Sequence, residues 1–339
     1  MSTRPANIKD VASRAGVHPS TVSRVLNPAT RSMVSDHLAR KILQAAEELG
    51  YRRNPLAAGL RTRQTHTVGI VLPDLTNPVF PPIVRSAEHT LDAQGYTAVL
   101  ADTGNRRRRE RTIIDNMKSR RVDGLIIAAA RRKDPVVDDC VELGIPLVLV
   151  NRTVDKHHVA AVINDDELGI ELALTHLLDL GHRRIAYVGG PQNTSTGHRR
   201  YKSFIRLRQR FGLASERELA VNAVDYTETA GQTALSRMLA SHRDFTAVLA
   251  ANDLLALGCY DELRAHGLRC PDDISVTGYN DMPFVDRFDP PLTTLHIPRK
   301  VLGVQAAKIL LERIRQPDAP IKQVRLEPRI VVRGSTAPP

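Results

Sequence analysis

The side chains with the most evident binding chemistry lie near the N-terminus, in the segment HPSTVSRVLN (18–27). Its apolar residues recur at the spacing of a buried helix face, which leaves hydroxyl and guanidinium side chains on the outward face. Short hydroxyl side chains can bond to phosphates or base edges, and an arginine can bind a guanine through two parallel bonds. The segment therefore predicts a contact with nucleic acid. The candidate contact residues are Ser20, Thr21, Ser23, Arg24 and Asn27.

The net charge of +11 is concentrated in the same part of the chain. Residues 1–66 contain eleven Lys or Arg and four Asp or Glu, whereas the remaining 273 residues carry a net charge of only +4. A compact basic head on a nearly balanced body is typical of a module that binds a polyanion. The alternative is a solvated basic arm, and the helix pattern of the head argues against it.

Three helices are predicted in this head. Asn7 is a good N-cap for the first helix, and Gly16 ends it directly. The second helix starts near Pro19, and the third starts after Ser35 and ends at Gly50. The apolar stripe expected on the third helix is Leu38, Ile42, Ala45 and Leu49. Two short helices joined by a tight turn and braced by a third indicate a helix-turn-helix unit, whose second helix enters the major groove. A plain three-helix bundle with a polar surface is the alternative.

Beyond residue 66, short strand-like runs alternate with helical patterns. The runs are VGIVLP (68–73), TAVLAD (97–102), GLIIAAA (124–130), LVLVN (147–151), AAVIND (160–165), RIAYVGG (184–190), TAVLAA (246–251) and ISVTGY (274–279). Near-continuous apolar strands separated by helices predict parallel sheets covered on both faces, and this many strands suit two lobes. Asn or Asp follows several runs. Because such sheets bind ligands outside the carboxyl ends of their strands, we expect these polar tips in a shared crevice.

Two stretches near the N-terminus and several landmarks in the body match the motifs of one family. The N-terminal stretches are DVASRAGVHPSTVSRVLN (10–27) and AAEELGYRRNPLAAGLR (45–61). The landmarks are PDLTNPVF (73–80), RRVDGLII (120–127), GHRRIAYVGGP (181–191), AANDLLALG (250–258), VTGYNDMPF (276–284) and PPLTTLHIP (290–298). Over nearly its whole length the chain therefore resembles the lac repressor (LacI/GalR) family of bacterial transcriptional regulators. One departure is His18, where the family usually has a serine that caps the second helix, so we expect weaker capping there.

The resemblance implies an N-terminal all-α helix-turn-helix head and an α/β two-lobed core that is periplasmic-binding-protein-like, with parallel sheets in Rossmann-like lobes. The expected divisions are 1–53 for the head, 54–65 for a hinge helix and linker, and 66–339 for an effector-binding and dimerisation core. Within the core, the expected segments are about 66–164 and 297–323 for the N-lobe, and about 165–296 and 324–339 for the C-lobe. Three crossovers would then join the two lobes.

The resemblance also implies that the hinge helix enters the minor groove of DNA. Leu60 stands where the family has the leucine that pries apart the central base step, with Ala57 one turn earlier against the groove floor. Gly59 should lower the stability of the free helix by roughly 1 kcal/mol relative to alanine. We therefore expect the hinge to fold only on DNA.

A pocket between the lobes is the implied effector site. Arg200 matches the family's pocket arginine and Asp253 an acidic ligand, and together they can form charge-assisted bonds to a polyhydroxylated molecule. The alternative for each is a helix cap or a salt bridge within one lobe. The other matching pocket positions are Phe80, Arg152, Thr194, Thr196 and Tyr226. For Phe80 and Tyr226, core packing is an equal alternative to stacking on a sugar face.

The sequence thus predicts a regulator, most often a repressor in this family, that binds pseudo-palindromic double-stranded operator DNA as a homodimer. A small effector would control it: a sugar, a sugar acid or a sugar phosphate. The alternative is a solute-binding protein of a transport system, which shares the two-lobed core. No signal peptide, transmembrane run, tetramerising leucine heptad, phosphate loop, nucleophile elbow or zinc motif is evident, so we expect no enzyme, no cofactor and no membrane partner. Three scattered cysteines suit a reducing, cytoplasmic location. A DNA-binding regulator is further expected to associate with the nucleoid.

Overall fold

The computed structural model describes residues 6–27, 30–51, 64–156, 159–213, 219–242 and 244–339. The chain divides into two compact units, Met1–Thr65 and His66–Pro339, which we call the head and the core. Within the described ranges, no helix is both long and apolar enough to cross a bilayer. The predicted hinge contacts Ala57 and Leu60 lie outside the described residues.

The head consists of three helices around one small apolar core. Helices α1 (Ile8–Ala15) and α2 (Pro19–Val25) are joined by a tight turn, and α3 (Asp36–Glu48) packs on both. A capping box starts α1, because the Asn7 side chain accepts from the Asp10 N–H at 3.3 Å and the Asp10 carboxylate accepts from the Asn7 N–H at 2.8 Å. The buried side chains are Val11, Ala12, Ala15, Val22, Val25, Ala39, Ile42, Ala45 and Ala46.

Two details of the head bear on the sequence predictions. His18 does cap α2, because its Nδ1 accepts from the backbone N–H of Ser20 at 3.2 Å, as a serine oxygen would. The predicted apolar stripe of α3 is wrong at its C-terminal end, because Leu49 follows the last helical residue and is 37% exposed. Ala39 and Ala46 are buried instead. The core is therefore made largely of small side chains, which lets three short helices approach closely.

The N-lobe of the core is a six-stranded parallel sheet with an apolar cluster on each face. In spatial order its strands are β2 (Thr97–Asp102), β1 (Thr67–Leu72), β3 (Gly124–Ile127), β4 (Leu147–Val150), β5 (Ala161–Asn164) and β11 (Gln323–Leu326). Its helices are α4 (Phe80–Asp92), α5 (Arg107–Ser119), α6 (Pro135–Glu142) and α11 (Arg299–Arg315). Helices α4 and α11 pack closely because Gly303 has no side chain: a Cβ there would lie 2.1 Å from the Ile83 carbonyl oxygen.

The C-lobe contains a four-stranded parallel sheet and a two-stranded antiparallel ribbon. In spatial order the sheet strands are β7 (Ala220–Asn222), β6 (Ile185–Gly189), β8 (Ala247–Ala250) and β9 (Ser275–Thr277). The ribbon pairs β10 (Thr294–His296) with β12 (Arg329–Val331). The helices are α7 (Asp166–Asp179), α8 (Ser195–Arg210), α9 (Glu228–Ser241) and α10 (Asp253–Ala265). The predicted fold class, a helix-turn-helix head with a two-lobed parallel α/β core, is confirmed.

Three segments cross between the lobes: one after β5, one from β10 to α11, and one from β11 to β12. The sequence predicts the last crossing near residue 323, but β11 pairs with β5 as far as Leu326, so the chain crosses after that residue. Beside these crossings the Asp281 carboxylate lies 2.8 Å from Nδ1 of His296 and accepts from Nη2 of Arg333 at 2.7 Å. These contacts tie the last residue of β10 and the segment after β12 to the loop after β9.

Candidate functional site

The outward face of α2 is the candidate DNA contact of the head. Val22 and Val25 are buried, so the opposite side of the helix faces solvent. At 100° per residue, the four predicted contacts within α2 fall in an arc of about 160°. Those four are Ser20, Thr21, Ser23 and Arg24. The structure therefore brings them to one face, while Asn27 follows two residues after the helix ends.

The charges around α2 leave that face positive. Among the described residues Arg24 has no acidic partner, while Arg14 donates to Glu48 at 2.8 Å and so engages that acid between α1 and α3. The Asp10 carboxylate is engaged in the capping box of α1. A guanidinium without an internal partner is available for an external acceptor, such as a guanine edge or a phosphate.

A small cavity lies at the carboxyl ends of the strands of both core lobes. Its wall consists of Asn77, Val79, Phe80, Asn151, Arg152, Thr196, Arg200, Tyr226, Asn252 and Asn280. The cavity volume is about 20 Å³, which suits roughly one water molecule and no sugar. The lobes in this arrangement thus leave no room for a sugar in this cavity.

A larger groove of about 730 Å³ lies between α4 and α11. Its wall includes Val304, Leu311, Lys300 and Lys308, and it lies away from the strand ends. The small cavity is the better candidate ligand site, because polar side chains from both lobes converge there.

Arg200 is held in the cavity wall by three contacts. Its Nε donates to the Asp166 carboxylate at 2.7 Å, and its Nη1 donates to the carbonyl oxygen of Ala251 at 2.6 Å. The guanidinium also lies 3.5 Å from the ring centroid of Tyr279. Burial disfavours the charged form, yet the Asp166 carboxylate together with Tyr279 and Tyr226 holds the pKa of Arg200 above its ordinary value. Arg200 therefore remains a cation.

Arg152, Thr196, Tyr226 and Phe80 also line the cavity, as the resemblance implies. The Tyr226 hydroxyl lies 3.1 Å from Oγ1 of Thr196, so the two hydroxyls form one polar wall. Arg152 is buried, and this burial lowers the pKa of its guanidinium. Thr194 is different: its Oγ1 accepts from the Gly197 N–H at 3.1 Å and caps α8, so it supports the wall without lining it.

Asp253 is not part of the cavity wall in this structure. Its carboxylate accepts from the Met282 N–H at 2.8 Å and from the Thr294 hydroxyl at 2.5 Å, and it is fully buried. Burial raises the pKa of Asp253 to about 7. Asn252, one residue earlier, lines the cavity while capping α10. Asn252 is the N-cap with an extended backbone and Asp253 is the first helical residue, so the two neighbours face different surroundings. The assignment of Asp253 as an effector ligand stays a prediction.

Four asparagines of the cavity wall are absent from the set of predicted pocket residues. They are Asn77, Asn151, Asn252 and Asn280. Asn151, Asn252 and Asn280 follow β4, β8 and β9, so the polar tips after LVLV, VLAA and TGY were the signal for them. Asn151 and Asn280 have positive φ angles of 64° and 115°, a backbone conformation that is costly outside glycine and concentrates at binding sites.

Comparison with known proteins matches two family models to the chain. Residues 7–54 match bacterial regulatory proteins of the lacI family, and residues 174–336 match the periplasmic binding protein-like domain. The first match covers the described helices α1 to α3, and the second covers most of the C-lobe with α11.

Curated relatives and solved structures cover almost the whole chain. The HTH-type transcriptional regulator MalR of Streptomyces coelicolor is 36% identical, over 99% of this chain and 97% of that protein. The ribose operon repressor of Escherichia coli K12 is 32% identical, over 97% of this chain and 99% of that protein. The crystal structure of the lac repressor dimer bound to operator and the anti-inducer ONPF has a TM-score of 0.87 at 29% identity, covering 98% of this chain and 100% of that one. All three are regulators rather than enzymes.

Proposed function

Since the chain belongs to the LacI family of bacterial regulatory proteins, and is thus a DNA-binding transcriptional regulator, we propose that it represses transcription as a homodimer on a pseudo-palindromic operator. A small hydroxylated effector in the crevice between the core lobes changes the affinity for that operator. The protein acts in the cytoplasm, on the nucleoid.

The observation that carries the DNA-binding proposal is the outward face of α2. Ser20 and Arg24 are exposed there, one helical turn apart, with Thr21 and Ser23 beside them. Hydroxyl and guanidinium groups supply the donors that base edges and phosphates accept. One head offers few such contacts, and a two-fold symmetric pair doubles them.

Exposed apolar side chains on the core support the homodimer. Strand β2 is an edge strand of the N-lobe sheet, and its Val99 and Leu100 are 41% and 47% exposed. In the C-lobe, Phe284 is 68% exposed at a positive φ of 73°. An exposed apolar edge strand invites a partner. A second copy that covered β2 would remove this surface from water.

The cavity wall supports a hydroxylated effector. Amide groups of Asn151, Asn252 and Asn280 can both donate to and accept from hydroxyl groups, and Phe80 and Tyr226 can pack on a sugar face. The ribose operon repressor among the relatives fits a carbohydrate class. Opening of the closed lobes would couple effector binding to the rest of the core.

Selection of duplex DNA by the purified full chain tests this proposal. We expect a pseudo-palindromic site bound by one dimer, and a change of operator affinity when a carbohydrate panel is added. Specific duplex binding that no metabolite changes would contradict the proposed control by an effector. Metabolite binding without specific duplex binding would favour a solute-binding protein instead.

A further inference from the structure

The crevice cavity contains two buried arginines whose charges are balanced differently. Arg200 donates to the Asp166 carboxylate at 2.7 Å and to the carbonyl oxygen of Ala251, and its guanidinium lies over the ring of Tyr279. Its charge is therefore compensated within the protein, without any ligand.

Arg152 lacks such a partner. Arg152 is only 6% exposed and lines the same cavity. In the part of the chain that the structure describes, no acceptor lies within hydrogen-bonding distance of its guanidinium, and its Nε is fully enclosed. An enclosed cation without a counter-charge is strongly destabilising, so this position favours an anionic ligand.

The two carboxyl groups that act on Arg152 from farther away are engaged elsewhere. Glu110 is buried beside Arg131, with 4.0 Å between Oε2 and Nη1, and burial raises the pKa of Glu110 to about 7. Near neutral pH the Glu110 carboxyl is therefore uncharged in about half of the molecules. The Asp225 carboxylate accepts from the backbone N–H of Tyr226 at 2.8 Å. Neither group neutralises Arg152 by direct contact.

The other side chains of the cavity wall, apart from the two arginines, are neutral amides, hydroxyl groups and apolar groups. We infer that the effector carries an anionic group, a carboxylate or a phosphate, and that Arg152 binds it. This inference rests on the proposed function, because it takes the crevice to be the effector site. A planar guanidinium can bind either group through two parallel N–H···O bonds. The compensated Arg200 would instead donate to neutral oxygens.

A first experiment needs no identified effector. Thermal unfolding of the full chain is measured in sodium chloride and in sodium phosphate of equal ionic strength, for the wild type, Arg152→Met and Arg109→Met. Arg109 is an exposed arginine at the start of α5, so its variant matches the change in net charge and the general salt effect.

We expect Arg152→Met to melt roughly 2 to 4 °C above Arg109→Met in chloride, because an unpaired buried charge is gone. Phosphate should stabilise the wild type and Arg109→Met more than Arg152→Met. If Arg152→Met melts below Arg109→Met and gains as much from phosphate, the inference is wrong. Arg152→Lys, which keeps the charge, should retain part of the phosphate response and guards against a folding defect in the Met variant.

A second experiment distinguishes carboxylate from phosphate. Calorimetry compares glucose with gluconate and glucose 6-phosphate, and ribose with ribonate and ribose 5-phosphate. We expect one anionic class to bind at least tenfold more tightly than its neutral parent, and Arg152→Met to lose that difference while Arg109→Met keeps it. A neutral sugar that binds the wild type and Arg152→Met equally would overturn the inference and leave the proposed regulator intact. Failure of the wild type to bind any duplex specifically would overturn the proposed function instead, whatever the ligand results.

Discussion

At the scale of single residues, the start of α10 places two neighbouring polar side chains in different environments. Asn252 lines the crevice cavity, whereas Asp253 is enclosed by the loop at Met282 and by Thr294 of the ribbon. Asp253 therefore holds together three segments of the C-lobe near the crossings. Its first measurable effect should be on stability.

We predict that the free energy of unfolding falls as pH rises through neutrality. The folded-state pKa of Asp253 is raised by burial to about 7, above its ordinary value of 3.8. Its contribution is thus complete at pH below about 4 and is lost as pH rises through about 7, with a slope on the order of 1 kcal/mol per pH unit. Asp253→Asn should flatten this slope in urea unfolding between pH 5 and 8, since an amide does not titrate.

The exposed Asp286→Asn is the matched control and should leave the slope unchanged. An equal slope in the wild type and Asp253→Asn would show that the carboxyl is ionised throughout this range.

Arg24→Ala should lower specific operator affinity by roughly 1–3 kcal/mol and relax the preference at one base position in each half-site. The reason is its exposed position on α2 without an internal acidic partner among the described residues. Anisotropy titrations against operator variants measure both effects. Arg40→Ala, an exposed arginine on α3, should leave base preference intact. A uniform loss on all duplexes would identify Arg24 as a phosphate contact.

At the scale of elements, short helices here depend on what caps and covers them. Helix α2 has only seven residues, and the His18 cap and its packing on α1 and α3 sustain it. The sequence of the predicted hinge, residues 54–61, has no long apolar face. It also has Gly59, a poor helix former, in its interior. An isolated helix of this length is far below the ~12–15 residues that persist in water.

We predict that Leu60→Ala lowers operator affinity and DNA bending together, because the resemblance implies that this leucine unstacks the central base step. Effector binding to the core should be unchanged in calorimetry. The control is Leu49→Ala, the same substitution at a partly exposed leucine just after α3. If Leu60→Ala bends operator DNA as the wild type does in a bend-dependent energy-transfer assay, the wedge assignment fails.

At the scale of the whole molecule, we expect effector binding in the crevice and dimer formation through the exposed apolar surfaces to be coupled. The cavity of about 20 Å³ has no room for a sugar, so we expect an effector to bind with the lobes farther apart. The Asp281 contacts link the end of β10 and the segment after β12 to the loop after β9, close to the crossings that would act as hinges. If lobe motion alters the dimer, effector and operator affinities must be coupled by one reciprocal free energy.

Leu100→Lys should convert the dimer to monomer at micromolar concentration and abolish tight operator binding, because a charge would replace an apolar side chain on edge strand β2. Sedimentation velocity measures the assembly state. Leu143→Lys, at an exposed leucine just after α6, should remain dimeric. A dimeric Leu100→Lys protein would place the interface elsewhere.

The amino-acid sequence by itself determined the family, the fold class and most element positions, because these depend on local signals. The Asn7 cap, Gly16 at a φ of 67° and the apolar runs of the strands each act within a few residues of themselves. The same local pattern predicted polar strand tips in a crevice, and Asn151, Asn252 and Asn280 line it.

Only the tertiary structure decided which polar tip faces the cavity and which arginine is compensated. Asp166 meets Arg200 across 34 positions, and β11 joins β5 from the far end of the chain. Local pattern carries no information on such pairings, because they depend on how distant segments pack. The step from the extended N-cap Asn252 to the first helical residue Asp253 likewise separates their side chains, and only packing sets the direction in which the helix starts.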